Sequence, residues 1–282
     1  MKRSHLFPVL ALLLAALFCQ AWADSKAAPG KSPFDYPVVK TAAKAGEFVL
    51  CPPRLWIDQA FEKGADKQTF IYYTAVMAEP GAADSKVKTL PGKEETIPNS
   101  MIVPIKKGGK AKPGDVVLTW WQTGSGLQRA MIVKGGTETE PKAMYIDMDY
   151  ENPSGCGKKV DTLKADSFCR LKLWDLGTAI AAKEKGTYKH GQLVGIAGDK
   201  VLLVGFAGRM FVAKKADCVP LPVMPPALKK GDTVTIPLFG GFTQGKVVKV
   251  DKAIGRVFVT YPFGGKEKTA AVAFGNVISK LP

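Results

Sequence analysis

The pattern Lys-x-Gly-x-x-Val occurs four times in the 282-residue chain, beginning at Lys44, Lys112, Lys189 and Lys229. The four stretches read KAGEFVLCP, KPGDVVLTW, KHGQLVGIA and KKGDTVTIP. A glycine held at one distance ahead of an apolar run marks a turn that feeds a β-strand. Superposing Gly46, Gly114, Gly191 and Gly231 aligns Val49, Val117, Val194 and Val234, and two residues later come Cys51, Thr119, Ile196 and Ile236. Side chains two apart on a strand share a face, so each pair is expected to point inward. A chain with recurrent strand starts of this kind folds as repeated β units.

The ends of the units correspond as well. MIVPI (101–105), FCRL (168–171), CVPLP (218–222) and VISKLP (277–282) read as short closing strands. Second strands in three units carry a small residue, Ala75, Ala130 or Gly245, ahead of an aliphatic run, where a neighbouring strand must approach closely. The stretch beginning at Lys189 lacks this and is short, so a truncated unit is expected there. Helical periodicity is weak except in an insert near Trp56–Phe61 and in LGTAIAAKEKG (176–186), which is Ala-rich and closed by glycine. Short β runs punctuated by Gly and Pro predict an all-β protein of small barrels with one short linker helix.

The resulting organisation is a signal peptide over 1–23, an unstructured linker over 24–43, and a first unit over 44–105. A second unit follows over 112–175, a helical linker over 176–188, a truncated third unit over 189–222 and a fourth over 229–282. Lys106–Lys112 is a Gly/Lys-rich connector. The signal peptide reading rests on Lys2 and Arg3, the apolar core Leu6–Phe18, and Ala21 and Ala23 ahead of Asp24. That apolar run is shorter than the roughly 20 residues needed to span a bilayer. Export to a periplasmic or extracellular location is expected.

After that cleavage four cysteines remain: Cys51, Cys156, Cys169 and Cys218. An even number in an exported protein favours disulfides. Cys156–Cys169 and Cys51–Cys218 are the candidate pairs, against free buried thiols or another connectivity. The formal net charge is +15, and Lys189–Pro282 holds 14 cations against 5 anions. Lys214, Lys215, Lys229, Lys230, Lys246 and Lys249 are therefore a candidate basic patch for an anionic partner, with general solubility as the plainer role. No Lys/Arg run of five occurs, so a nucleic-acid tail is not indicated.

Several chemistries lack their residues. His190 is the single histidine after the signal segment, which leaves at most one imidazole for a nucleophilic triad. It is expected to be a solvated turn residue. No Cys-x-x-Cys pair suggests zinc. Asp147, Asp149 and Glu151 alternate on one strand but lack the glycine turn of a calcium loop. Gly240, Gly245 and Lys246 imitate a phosphate loop, yet Val247 replaces its hydroxyl residue and strand character follows. Neither a cofactor nor a metal is expected.

The second unit resembles the Tudor branch of the SH3-like barrels. GDVVLTWW, GLQRA and IDMDYEN stand where that family has its Gly-Asp-led strand, its second strand and its acidic hairpin. The resemblance covers about 60 residues of this unit, and the first and fourth in outline. It implies tandem SH3-like (Tudor-like) barrels. Trp121 matches the first aromatic of the family's methyl-cation cage, Tyr150 a later one and Asn152 its polar member. Gln128 and Asp147 stand where two further aromatics belong, and Leu238 replaces the tryptophan in the fourth unit.

Trp121 shares strand parity with Val117 and reads as a core lid. Trp120 faces the other way, as a contact between units or a ligand platform. Trp120, Tyr145 and Tyr150 complete the candidate recognition patch. The function expected is an exported, non-enzymatic binding or scaffolding protein contacting a protein or an anionic envelope polymer. A hydrolase with its site between barrels and a Tudor-type methyl-cation or nucleic-acid reader are the alternatives.

Overall fold

The computed structural model describes residues 30–121, 124–147 and 159–282. The proposed signal segment, Tyr150, Asn152 and Cys156 lie outside the described residues. Among the described residues the chain is all-β with one α-helix, and its four small antiparallel sheets stand in a ring as the blades of a four-bladed β-propeller do. The first sheet contains β1 (Phe48–Cys51), β2 (Tyr73–Glu79), β3 (Asp84–Thr89), β4 (Glu94–Pro98) and β5 (Val103–Ile105), with α1 (Arg54–Lys63) inserted after β1. The second contains β6 (Val116–Thr119), β7 (Gln128–Gly136), β8 (Pro141–Tyr145), β9 (Val160–Thr162) and β10 (Cys169–Arg170). In the third are β11 (Ala179–Glu184), β12 (Thr187–Ala197), β13 (Lys200–Gly205), β14 (Met210–Lys214) and β15 (Cys218–Pro220). The fourth has β16 (Thr233–Leu238), β17 (Gly241–Asp251), β18 (Arg256–Phe263) and β19 (Lys266–Ala273).

One rule builds all four. Strands one to four form a meander, and the chain then returns to pair its last strand with the first. In the fourth sheet the return is a single bridge, Thr235 to Ile278. A glycine at positive φ starts each sheet and donates its N–H to the second strand: Gly46 to Met77, Gly114 to Ile132, Gly177 to Leu193 and Gly231 to Val247. The accepting residue lies at a register shift in every case. A bulge there bends the second strand and coils the sheet. The small residue of the second strand faces the core residue of the first, in the pairs Val49–Ala75, Val117–Ala130, Ile180–Gly191 and Val234–Gly245.

The third sheet departs from the sequence expectation. Gly191 is not its leading glycine; Gly177 is, and KHGQLVGIA lies on β12, the second strand. The unit is complete, with five strands, and the expected helix over 176–186 is the strand β11. Ala179 to Ala182 are buried between β12 and β15, where an alanine side chain suits close strand approach. Burial on both faces overrides the helix preference of alanine. The helical insert near Trp56–Phe61 is α1.

A second correction concerns assembly. Among the described residues the two outer strands of a sheet do not pair with one another, and the four sheets stand in a ring where the sequence predicts small SH3-like barrels in tandem. They share a core instead. The largest buried cluster draws Val49 and Met77 from the first sheet, Met131 from the second, Leu202 from the third and Val257 from the fourth. Smaller clusters, around Val117 and Phe168 and around Ile180 and Leu203, fill the opposite faces of the second and third sheets.

Contacts close the ring in the order first, second, fourth, third. Tyr73 bridges Ser125, Arg256 Nη2 donates to the Tyr145 carbonyl at 3.4 Å, His190 N–H to the Gly240 carbonyl at 2.9 Å, and Phe70 N–H to the Gly208 carbonyl at 2.8 Å. Nor are residues 30–43 an unstructured linker. Tyr36 is buried, Phe34 packs on Phe70 with ring centres 5.7 Å apart, and Lys200 pairs with Asp35 at 2.9 Å.

The expected disulfide between Cys51 and Cys218 is absent. Cys51, Cys169 and Cys218 are free, and Cys218 Sγ donates to the Lys214 carbonyl at 3.3 Å. Burial pushes the thiols of Cys51 and Cys169 up to about 12 and that of Cys218 to about 11. Cysteine parity alone carries no geometry. Cys51 sits in β1 of one sheet and Cys218 in β15 of another.

Candidate functional site

The ring brings polar groups from three sheets together near its centre. Arg129 lies on β7 and is buried; its Nε and Nη2 donate to the two carboxylate oxygens of Asp147 at 2.9 and 2.5 Å, and its backbone N–H adds a third bond. A bidentate fork of this kind fixes both side chains. Gly275 leaves room for the guanidinium, which a Cβ at that position would overlap. His190 Nε2 lies 3.2 Å from Asn276 Oδ1, joining β12 to the turn after β19. Burial and then the Arg129 cation hold the His190 pKa down to about 4, so the imidazole is neutral near pH 7. It is therefore not the solvated turn residue expected, but a mid-strand group at the centre of the ring. Gln192 Nε2 donates to the carbonyls of Leu127 and Gly177, both at 2.9 Å.

This cluster stands between two cavities that share Asp147, His190, Gln192 and Asn276 in their linings. The smaller, about 260 Å³, opens toward Phe70–Tyr72 and Ser125–Arg129. The larger, about 450 Å³, lies where the fourth sheet faces the third: Ile236–Gly240 and Lys268–Ala270, both of the fourth sheet, form two walls, and Val204, Gly205 and Phe206 of the third sheet complete the lining. Three phenylalanines stand at its mouth, Phe206, Phe239 and Phe263, with exposures of 54%, 61% and 37%. Phe239 is 6.0 Å from Phe206 and 5.5 Å from Phe263 between ring centres. Lys268 Nζ sits 4.4 Å from the Phe263 centroid.

Local sequence explains why these rings stay at the surface. Each lies at a turn, followed by glycine or Ala-Gly: Phe206-Ala207-Gly208, Phe239-Gly240-Gly241 and Phe263-Gly264-Gly265. Phe239 itself takes φ of 47° and Ala207 φ of 54°, a left-handed backbone costly for residues with a Cβ. Strain of this kind persists only where surrounding structure enforces it. Here Gly240 packs against Phe206 so closely that a Cβ would come within 2.7 Å. The Phe-before-turn recurrence is the signal that could have exposed this site in the sequence.

The residues selected from sequence fall elsewhere. Trp120 packs on the shared core, 4.9 Å from Phe48 of the first sheet, which is a contact between units. Trp121 lies against the cluster around Val117, 4.8 Å from Tyr145, with Lys159 Nζ 5.7 Å from its ring. Tyr145 is buried; its hydroxyl donates to the Trp120 carbonyl at 3.0 Å, and burial pushes its phenol up to about 12. It offers no platform to a ligand.

Of the basic residues, Lys214 and Lys215 belong to the third sheet, where Lys215 Nζ lies 5.4 Å from the Trp174 ring. Lys229, Lys230 and Lys246 gather at one end of the fourth, since Lys246 pairs with Thr233 and Gly231 with Val247. Lys249 bonds Asp251 at 3.3 Å and covers Phe258. No protein family model matches the chain, and no curated protein is similar to it.

Proposed function

We propose that this chain is an exported, non-enzymatic binding or scaffolding protein that holds a protein or an anionic envelope polymer in the cleft between its third and fourth sheets. The observation that carries the reading is the trio of exposed phenylalanines around a cavity with a polar floor. Concave apolar sites with a few fixed polar groups are the usual form of recognition sites. Export follows from the charged start, apolar core and small-residue cleavage site of the first 23 residues. Each sheet is read as a variant of the SH3-like, Tudor-like unit. Its four-strand meander with a returning last strand, entered in the first sheet through the 3-10 turn Asn99–Met101, supports that descent.

A hydrolase is less well supported, because among the described residues Asp147 is the one carboxylate in the larger cavity's lining and Arg129 engages both its oxygens. Methyl-cation reading at this cleft is disfavoured too: Lys268 already occupies a face of Phe263 and repels a second cation. The test is capture from an envelope extract by the immobilised protein and by a Phe206→Ala, Phe263→Ala variant in parallel. The reading expects a partner retained by the first and lost by the second; identical captures overturn it.

A further inference from the structure

Resting on that reading, we infer that the cleft between the third and fourth sheets binds an acidic peptide segment of a partner protein, with one bulky apolar side chain seated among Phe206, Phe239 and Phe263. Charge complementarity sets the sign of the ligand. From Lys229 to Pro282 the fourth sheet carries nine Lys/Arg and three Asp/Glu. Of those acids, Asp232 accepts the backbone N–H of Lys229 and Asp251 is paired with Lys249. Lys266 and Lys268 lie on one face of β19, two residues apart and both exposed, and Lys268 lines the cavity itself. A cationic ligand meets repulsion at this mouth, whereas an acidic one is drawn toward it.

The cavity sets the class. An anionic polysaccharide satisfies the lysines but brings only the C–H faces of its sugar rings to the three phenyls, whereas a cavity of about 450 Å³ accommodates a whole bulky side chain. The backbone adds a second feature suited to a polypeptide. Among the described residues β19 pairs with β18 alone, so its outer edge is free beside the cavity. On the opposite wall, Pro237 has no N–H to continue the pairing that Thr235 makes with Ile278. An extended segment laid along β19 therefore gains main-chain bonds from one wall and side-chain burial from the cleft.

The test uses the full exported chain and a labelled synthetic peptide of alternating glutamate and serine with one central tryptophan, followed by fluorescence anisotropy. Two control peptides replace the tryptophan by alanine or every glutamate by lysine, and heparin serves as a competitor without apolar side chains. The expected result is binding of the acidic tryptophan peptide, weakened about tenfold or more by either peptide change. Phe206→Ala with Phe263→Ala, and Lys266→Glu with Lys268→Glu, should weaken it similarly at unchanged melting temperature.

Equal affinity for the tryptophan and alanine peptides overturns the inference, as does equal affinity for the lysine peptide. Heparin binding that depends on the two phenylalanines assigns the cleft to a polysaccharide and overturns it as well. If a variant melts early, a benzophenone in place of the tryptophan decides the matter on the unaltered chain. Crosslinks to 204–206, 236–240 or 261–269 support the proposal, and crosslinks confined elsewhere refute it. Should the envelope partner need the phenylalanines while the acidic peptide ignores them, the peptide assignment fails and the recognition site stands. If neither depends on them, both fail.

Discussion

His190 Nε2 and Asn276 Oδ1 lie 3.2 Å apart and tie the third sheet to the fourth beside the pair of buried Arg129 and half-buried Asp147. Burial and the nearby cation lower the His190 pKa to about 4, from the 6.5 of an ordinary histidine. In the window between those values the unfolded chain binds a proton that the folded chain refuses, so stability falls with pH across it. The contribution is complete above about 6.5 and lost on approaching pH 4. Urea midpoints measured from pH 7.5 to 4 should decline, and His190→Gln should flatten the part of the decline due to this residue. An unaltered slope in that variant rejects the assignment.

Arg129 and Asp147 should be much harder to alter singly than together. Asp147→Ala leaves a buried guanidinium without its carboxylate and should cost about 3–5 kcal/mol in denaturant unfolding. Replacing both, Arg129→Met with Asp147→Leu, should cost clearly less than the sum of the two single changes. Additive losses contradict the coupling.

Gly245 faces Val234 in the middle of β17, and a Cβ there would overlap Val259 Cγ1 and reach the Thr260 carbonyl at 2.6 Å. Gly245→Ala should therefore destabilise by about 1–3 kcal/mol through overpacking. Gly264 has open space around it and φ of 60°. Gly264→Ala meets only the left-handed backbone cost, about 1–2 kcal/mol. Thermal melts of the pair separate crowding from backbone strain.

Cys51 and Cys218 should resist alkylation in the folded protein and react after denaturation, because both are buried and their thiolates are disfavoured. Non-reducing peptide mapping should yield no fragment joining them. Finding that fragment would refute the arrangement of the first and third sheets.

The sequence made the strand starts legible because a single residue carries each requirement. Gly46, Gly114 and Gly231 sit at positive φ, and their following acids fold back onto the lysine N–H three residues earlier, Asp115 onto Lys112 at 3.0 Å and Asp232 onto Lys229 at 2.7 Å. The third start is not legible in the same way, because Gly177 is led by Asp175 and followed by Thr178-Ala179, without the lysine pattern, while Gly191 mimics it from inside a strand. Trp120 and Trp121 stand out in the sequence by their size, and the structure packs both on apolar clusters. The exposed phenylalanines are legible only as a recurrence, a Phe ahead of Ala-Gly or Gly-Gly at a turn, and that all three surround one cavity is decided by the tertiary structure.

Chain-local chemistry thus determined the all-β character, the turn glycines, the small residues opposite the first strand and the short closing strands. Those features depend on steric and hydrogen-bonding demands met within a few residues or across one strand pair. Tertiary structure alone decided that Ala179–Glu184 is a strand, that the sheets share a core, and that His190, Asn276, Asp147 and the phenylalanines meet. These outcomes depend on burial and on contacts between residues far apart in the chain, 86 positions for His190 and Asn276 and 111 for Tyr145 and Arg256. Such partners become neighbours only when all four sheets have closed their ring.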